Sequence, residues 1–139
     1  VVPWSASRSV AVWKGERAEK GLAKWRSTAR EAAKQARRTW HPVVDPMAGT
    51  PRVAELVAAA DLAVVLHEDA TTTLTGLEVP ATGSLLVVVG PEGGIAAEEL
   101  AAFTAAGATS VRLGSEVLRT STAGVAAVAA LLSRTSRWS

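Results

Sequence analysis

The 139-residue chain lacks cysteine and tyrosine and contains one methionine, one phenylalanine and two histidines. Without cysteine it cannot form a disulfide, a thiolate metal site, an iron–sulfur cluster or a cysteine nucleophile. Two histidines supply few ligands, so no metal centre is expected. The longest apolar run, residues 125–132, is far shorter than the roughly 20 residues that cross a bilayer, so no membrane partner is expected either.

The residues that are present describe one globular domain. The composition is 48% hydrophobic and 20% charged, and the length is sufficient for a hydrophobic core. Residue 1 is Val, and residues 1–10 lack the pattern of a signal peptide. We therefore expect a cytoplasmic protein, and a chain that is part of a longer one.

Positive charge is concentrated in the first part of the chain. Residues 1–52 hold eleven Lys and Arg against four acidic residues, and four of the five Trp lie there, whereas residues 53–139 hold four Lys and Arg against nine acidic residues. Cations interleaved with aromatic rings are typical of a nucleic-acid surface. A solvated helix face with Trp in the core would have the same composition, so both interpretations stay open.

The apolar periodicity predicts an α/β protein with a mostly parallel sheet and flanking helices. Strands are predicted at residues 9–13, 62–66, 85–89 and 110–113, and helices at residues 16–38, 50–60, 97–106 and 121–133. An apolar stripe on the first helix is expected to face a core; it consists of Ala18, Leu22, Trp25, Ala29, Ala32 and Ala36. The last helix is apolar nearly all round, which favours either burial or a subunit interface.

Ligands of parallel sheets bind at the carboxyl ends of the strands. The predicted strands end in loops at residues 67–69, 90–94 and 114–120, and the second of these reads Gly-Pro-Glu-Gly-Gly. Its glycines allow a ligand to approach the backbone closely, although a tight turn between a strand and a helix would also use them. The Gly-Lys-Ser/Thr of a phosphate-binding loop does not follow.

Four ordered motifs resemble the SPOUT methyltransferases, specifically the ribosomal RNA small subunit methyltransferase E family. They are Ser-Arg-Ser-Val at residues 7–10, Glu31-Ala32 with Gln35, Arg38 and Pro42, the glycine loop with Glu98-Glu99, and residues 113–123, Leu-Gly-Ser-Glu-Val-Leu-Arg-Thr-Ser-Thr-Ala. The resemblance extends over residues 1–134. It implies S-adenosylmethionine (SAM) as cofactor and uridine N3 of 16S ribosomal RNA in the small subunit as substrate.

The resemblance also implies a carboxyl-terminal trefoil knot whose loops enclose the cofactor. The cofactor contacts that it implies are Leu66, His67, Glu68, Gly90, Gly94, Leu113, Gly114, Val117 and Leu118. Family members carry an amino-terminal PUA-like RNA-binding domain, and their catalytic domain starts with a strand and a helix that precede this sequence. Residues 1–139 are accordingly expected to be a SPOUT domain without those parts, one that binds cofactor but methylates RNA poorly.

Two residues are candidates for the chemistry. Arg119 would stabilise negative charge that develops on the uracil carbonyl oxygens, and Glu92 would accept the N3 proton. A carboxylate on a glycine loop also serves as a structural hydrogen-bond acceptor, so the role of Glu92 stays open.

Arg8, Gln35 and Arg38 are candidates for contact with RNA or with a second subunit. The alternative for Arg38 is a pair with Glu31 or Gln35 on its own helix. The family forms homodimers, and the small residues of the last helix would suit close packing of two subunits.

Three positions depart from the family pattern. Glu116 stands where Arg is usual, Ser121 where Glu is usual, and Ala96 where a polar helix cap is usual. Ser121 is expected to cap the last helix in its place. The departures leave open a non-catalytic RNA-binding module, and the glycine loop leaves open a nucleotide-binding α/β enzyme that uses residues 90–94 for phosphate.

Overall fold

A computed structural model describes residues 1–138 as two compact units. The first unit contains Val1–Ser5 and Ala11–Gly49, and the second contains Ala6–Val10 and the chain from Thr50 onward. The helices are α1 (Glu16–Gln35), α2 (Thr50–Ala59), α3 (Ala97–Ala105) and α4 (Thr120–Leu132). The strands are β1 (Leu62–Leu66), β2 (Leu85–Val88) and β3 (Thr109–Val111), and a short 3-10 turn spans Leu74–Gly76.

The second unit is built on a parallel sheet with strand order β2-β1-β3. Leu62 pairs with Leu85, and Val64 pairs with Thr109. The β1 run Leu-Ala-Val-Val-Leu forms a central strand because nearly all its side chains are apolar, and Val64 and Val65 are fully buried. The predicted α/β class and parallel sheet are therefore confirmed.

Helices cover the sheet of this unit. Val64 and Val111 form a core cluster with Leu74 of the 3-10 turn and with Ala127 and Leu131 of α4. Val65 points to the opposite face because side chains alternate along a strand. Helices α2 and α3 contact each other, and they also contact β1 and β3, respectively.

The first unit consists of α1 and the segments on either side of it. The Val1 amino group donates a hydrogen bond to the Val43 carbonyl (2.7 Å), and the Ser5 amide donates one to the Ala48 carbonyl (2.9 Å). The rings of Trp13 and Trp25 meet edge to face, with their centroids 5.6 Å apart.

The strand predicted at residues 9–13 is wrong, because the structure has no strand there. The Ser9 amide instead donates to the Ala6 carbonyl across a turn (3.1 Å). Val10 and Val12 are 83% and 57% exposed, so the alternating apolar residues do not form a buried face.

Helix α1 also differs from its prediction. It ends at Gln35, and Arg37 adopts a positive φ of 53° just beyond it, so Arg38 lies outside the helix. Ala33 is the buried residue of α1, whereas Trp25 of the predicted stripe is 42% exposed. The expectation that the whole stripe faces a core is wrong, because only Ala18, Leu22 and Ala29 of its members are half-buried and the others are exposed.

Within residues 1–138, no helix is both long and apolar enough to span a membrane.

Candidate functional site

The carboxyl ends of the parallel strands lie at one edge of the sheet, and hydrogen bonds connect the loops that follow them. The His67 amide after β1 donates to the carbonyl of Val111 in β3 (2.9 Å). The Thr120 hydroxyl at the start of α4 donates to the carbonyl of Gly90 after β2 (3.1 Å). The first loop is therefore tied to the end of β3, and the glycine loop is tied to the start of α4.

The loop after β1 holds the imidazole of His67 in a defined orientation. Nδ1 of His67 accepts the Asp69 amide (3.2 Å), so in the neutral ring Nε2 carries the hydrogen. Leu66 and His67 are half-buried, and Glu68 is exposed. Together with Leu66, this loop offers one apolar side chain, one ring donor and two carboxylates.

The glycine loop after β2 turns sharply. The Gly94 amide donates to the Pro91 carbonyl (2.9 Å), and Gly94 has φ +76°. A Cβ on Gly93 would stand 2.7 Å from the Arg8 carbonyl oxygen. Gly93 is thus required by the close approach of another backbone segment, and Glu92 beside it is exposed.

The segment that approaches Gly93 is held by Glu99, near the start of α3. The Glu99 carboxylate accepts hydrogen bonds from the Ser7 amide (2.8 Å), the Ser7 hydroxyl (3.1 Å), the Thr50 hydroxyl (3.1 Å) and the Ala96 amide (3.2 Å). Burial acts to raise the pKa of Glu99, but these donors outweigh it and hold the pKa below its usual value.

The loop after β3 is anchored at its start and exposed further on. The Arg112 amide donates to Thr72, and the Leu74 amide donates to Arg112, both at 3.0 Å. Leu113 is half-buried, while Val117 and Leu118 are 72% and 38% exposed. Gly114 lies in the exposed part of this loop.

Arg119 is the N-cap residue of α4, and its carbonyl accepts the amides of Thr122 and Ala123 (both 2.8 Å). Its side chain is exposed, and the residue that follows it, Thr120, donates the hydrogen bond to Gly90. Ser121 lies inside the helix, so the expectation that it caps α4 is wrong. Glu116, at the departure from the family pattern, accepts the Ser115 hydroxyl (2.8 Å).

The three predicted RNA contacts fall in different units. Arg8 belongs to the second unit and lies on the glycine loop, whereas Gln35 and Arg38 belong to the first. The guanidinium of Arg38 stacks on the Trp40 ring, 3.8 Å from its centroid. Glu31 forms an ion pair with Lys34 (2.9 Å), whose hydrogen bond lowers the pKa of Glu31.

The sequence reasoning missed Ser7, Thr50 and Thr120 as parts of this site. A signal for Glu99 was present, since a Glu at the third helical position commonly returns a hydrogen bond to the N-cap amide. With Ala96 at the N-cap, only that return bond forms, and Ser7 and Thr50 use the remaining capacity of the carboxylate. Across residues 1–138 no group of three or more His, Asp or Glu is placed to hold a metal ion.

The fold and these loops define a parallel α/β domain with a ligand site at the carboxyl edge of its sheet, the arrangement in which nucleotide-derived ligands commonly bind. The sequence profile of the RNA methyltransferase domain matches residues 1–132, and the chain belongs to that family.

Individual relatives point the same way. The ribosomal RNA small subunit methyltransferase E of Mycobacterium bovis is 52% identical over 97% of this chain and 53% of its own length. A structure of the Neisseria gonorrhoeae protein of that name, bound to SAM, has a TM-score of 0.81 and 30% identity over 95% of this chain and 53% of its own. A Legionella pneumophila structure described as a putative methyltransferase with bound SAM has a TM-score of 0.89 and 25% identity. The match covers 96% of this chain and 55% of the Legionella chain. The chain spans about half the length of the curated relatives it matches.

Proposed function

We propose that the protein is a SAM-dependent methyltransferase that modifies uridine N3 in 16S ribosomal RNA of the small subunit. The observation that supports the proposal is the hydrogen bond from the Thr120 hydroxyl to the Gly90 carbonyl, which joins the start of α4 to the glycine loop. This contact occurs in a chain that belongs to the RNA methyltransferase domain family. Relatives of similar fold are described with bound SAM, which supports this cofactor.

The cofactor would lie against the three loops at the carboxyl edge. Leu66 and Leu113, both half-buried, offer apolar surface for an adenine ring, and the glycine loop offers backbone donors and acceptors. The full proposed set is Leu66, His67, Glu68, Gly90, Gly94, Leu113, Gly114, Val117 and Leu118. A trefoil knot formed by the carboxyl-terminal segment belongs to the same proposal.

When bound, SAM supplies an electrophilic sulfonium methyl group. Uracil N3 carries a proton at neutral pH and becomes an effective nucleophile only when that proton leaves. Glu92 is proposed to accept the proton while the N3 electron pair forms the bond to the methyl carbon and the sulfur–carbon bond breaks. The Arg119 guanidinium would stabilise the negative charge on the uracil oxygens.

Partners follow from the same function. Arg8, Gln35 and Arg38 are proposed to contact RNA, and α4 is proposed to pack against a second copy of the chain. The substrate, ribosomal RNA, would place the protein in the cytoplasm. No metal is required by this chemistry.

Two measurements test the proposal. Calorimetry is expected to detect binding of SAM or S-adenosylhomocysteine and no binding of ATP or NAD. A labelled methyl group is expected to reach, at a low rate, small ribosomal subunits that lack the modification, at N3 of a uridine. RNA binding without methyl transfer would favour a non-catalytic module, and binding of ATP or NAD instead of SAM would favour a nucleotide-binding enzyme.

Arg119→Ala is expected to lower the methyl-transfer rate at saturating SAM by roughly 100-fold or more, because one preorganised donor to a developing oxyanion is lost. Arg52→Ala is the control, since Arg52 is an exposed cation of α2 that pairs with Glu55. Equal rates for Arg119→Ala and the wild type would remove Arg119 from the reaction.

Glu92→Gln is expected to remove the proton acceptor and to lower the methyl-transfer rate at neutral pH. Glu98→Gln, which changes an exposed Glu of α3 in the same way, is expected to keep the wild-type rate. A Glu92→Gln variant with the wild-type rate across pH would leave Glu92 a structural role only.

A further inference from the structure

Residues 6–10 are the one segment before Thr50 that clusters with the second unit, which contains the candidate site. They lie along the glycine loop. A Cβ on Gly93 would be 2.7 Å from the Arg8 carbonyl oxygen and 3.0 Å from the Arg8 Cβ. Two backbones are therefore in contact at residues 8 and 93, and the Arg8 side chain starts from the surface of the loop.

The position of this segment is set by Glu99. Both the amide and the hydroxyl of Ser7, the residue before Arg8, donate to the Glu99 carboxylate. Glu99 is 6% exposed, and it also accepts the Thr50 hydroxyl and the Ala96 amide. We call Ser7 and Glu99 the clamp, because together they fix the backbone from which Arg8 projects.

The Arg8 side chain is exposed and has not been neutralised. Its Nη1 lies 4.0 Å from the point where a Cβ on Gly94 would stand, so the guanidinium reaches along the glycine loop. In the part of the chain that the structure describes, Arg8 forms no ion pair. The Arg8 backbone is held in place, and its guanidinium N–H groups are available as donors. Such a guanidinium suits a phosphate, because two of its N–H groups can donate side by side to two phosphate oxygens.

We propose that Arg8 binds a backbone phosphate of the RNA at the glycine loop, and that Glu99 is a positioning residue that acts on Arg8 through Ser7. The inference rests on the proposed function and deepens it. It assigns Arg8 a phosphate rather than a base or the cofactor, and it gives the buried carboxylate of Glu99 a role in substrate binding.

The first experiment measures RNA affinity against salt concentration, with a 16S ribosomal RNA fragment as the probe. Arg8→Ala is expected to weaken binding roughly tenfold at 0.1 M salt and to lower the slope of log K against log salt by about one. Arg8→Lys is expected to keep the slope but to lose part of the affinity, because the two-pronged contact is lost. SAM affinity is expected to stay at the wild-type value in both variants.

Arg52→Ala removes the same charge from α2 and is the matched control, with an expected slope equal to that of the wild type. An unchanged slope in Arg8→Ala would overturn the proposal. Weaker SAM binding in Arg8→Ala would overturn it as well, because the guanidinium would then serve the cofactor.

The second experiment tests whether the clamp acts through Arg8. Glu99→Gln and the milder Ser7→Ala are each expected to raise the KM for RNA more than they lower kcat. In an Arg8→Ala background, Ser7→Ala is expected to have no further effect on RNA affinity. Additive effects would overturn the positioning role, and Ser7→Ala keeps the test available where Glu99→Gln does not fold.

The two proposals fail in different ways. A wild-type protein that binds RNA with the expected Arg8-dependent slope, but neither binds SAM nor transfers methyl groups, would contradict the proposed function and support the phosphate contact. If the wild type transfers methyl groups but Arg8→Ala leaves the salt dependence of RNA affinity unchanged, the proposed function is supported and the phosphate contact is contradicted.

Discussion

Glu99 combines deep burial with negative charge. A buried carboxylate is costly unless donors surround it, and here two amides and two hydroxyls do so. These bonds connect residue 7, the start of α2 and the start of α3 within the second unit. Glu99 therefore contributes to stability as well as to the proposed position of Arg8.

Glu99→Gln is expected to lower the free energy of unfolding by about 1–3 kcal/mol at neutral pH, because an amide NH₂ meets donors where a carboxylate oxygen accepted them. The folded-state pKa is below the unfolded-state value of about 4.5, so the ionised form stabilises the fold above that value. This contribution is lost as the pH falls through the folded-state pKa.

Urea denaturation of the wild type and of Glu99→Gln from pH 7 downward provides the measurement. The difference between the two proteins is expected to shrink in acid, whereas Glu98→Gln, on the exposed side of the same helical turn, tracks the wild type throughout. A difference that grows in acid would contradict the assignment of the pKa.

At the scale of secondary-structure elements, α1 and α3 end in the same way with different residues. In α1 the amides of Arg37 and Arg38 donate to the carbonyls of Lys34 and Ala33, both at 2.9 Å. In α3 the amides of Gly107 and Ala108 donate to Thr104 and Phe103, both at 3.0 Å. Both are Schellman motifs, and their left-handed position is held by Arg37 (φ 53°) and Gly107 (φ 108°).

Arg37→Gly is expected to raise the free energy of unfolding by about 0.5–1 kcal/mol, because glycine adopts the left-handed conformation without strain. The gain is smaller than the strain itself, because glycine also increases the conformational entropy of the unfolded state. Thermal or urea unfolding measures it. Gly107→Ala is the reverse experiment, with an expected loss of about 1 kcal/mol, because no neighbour within 4 Å would meet the added Cβ. A destabilised Arg37→Gly would show that the Arg37 side chain makes a compensating contact.

The wrong strand at residues 9–13 belongs to the same scale. Alternating apolar and polar residues predict a strand only where a second strand supplies hydrogen bonds and a core covers one face. Here Ser7 is bonded to Glu99, and the chain turns at Ser9, whose amide donates to the Ala6 carbonyl. In the structure neither condition is met at residues 9–13, since they form no strand and Val10 and Val12 are exposed.

At the scale of the whole molecule, α4 is apolar beyond what its own unit buries. Ala123, Ala127 and Leu131 face the core, but Val125 and Val128 are 71% and 44% exposed. The sequence left open whether this helix is buried or forms a subunit interface, and in the structure one face of the helix is buried while the other is exposed. The outer face is the surface proposed to contact a second copy.

Val125→Asp is expected to shift the protein from dimer to monomer in sedimentation velocity at micromolar concentration, because a charge would enter an apolar contact. Val43→Asp is the matched control, since Val43 is a valine of the same 71% exposure in the first unit. A wild-type monomer at that concentration would defeat the dimer proposal.

The sequence by itself determined the α/β class, the parallel order of strands and helices, and the loops that form the candidate site. Apolar runs and turn residues favour a local backbone conformation over a few neighbouring residues, so these features could be predicted from neighbouring positions. The predicted boundaries agree to within a few residues for every α-helix and strand of the second unit from Thr50 onward, whereas the 3-10 turn at Leu74–Gly76 was not predicted.

Only the tertiary structure decided which distant groups meet. Ser7 and Glu99 are 92 positions apart, Thr120 and Gly90 are 30 apart, and no local period connects them. It also decided that the stripe of α1 is only partly buried in this chain and that Arg38 stacks on Trp40. The physical reason is that burial and hydrogen bonding depend on which distant residues the folded chain brings next to a residue. The local sequence favours only a backbone conformation, such as helix, strand or turn.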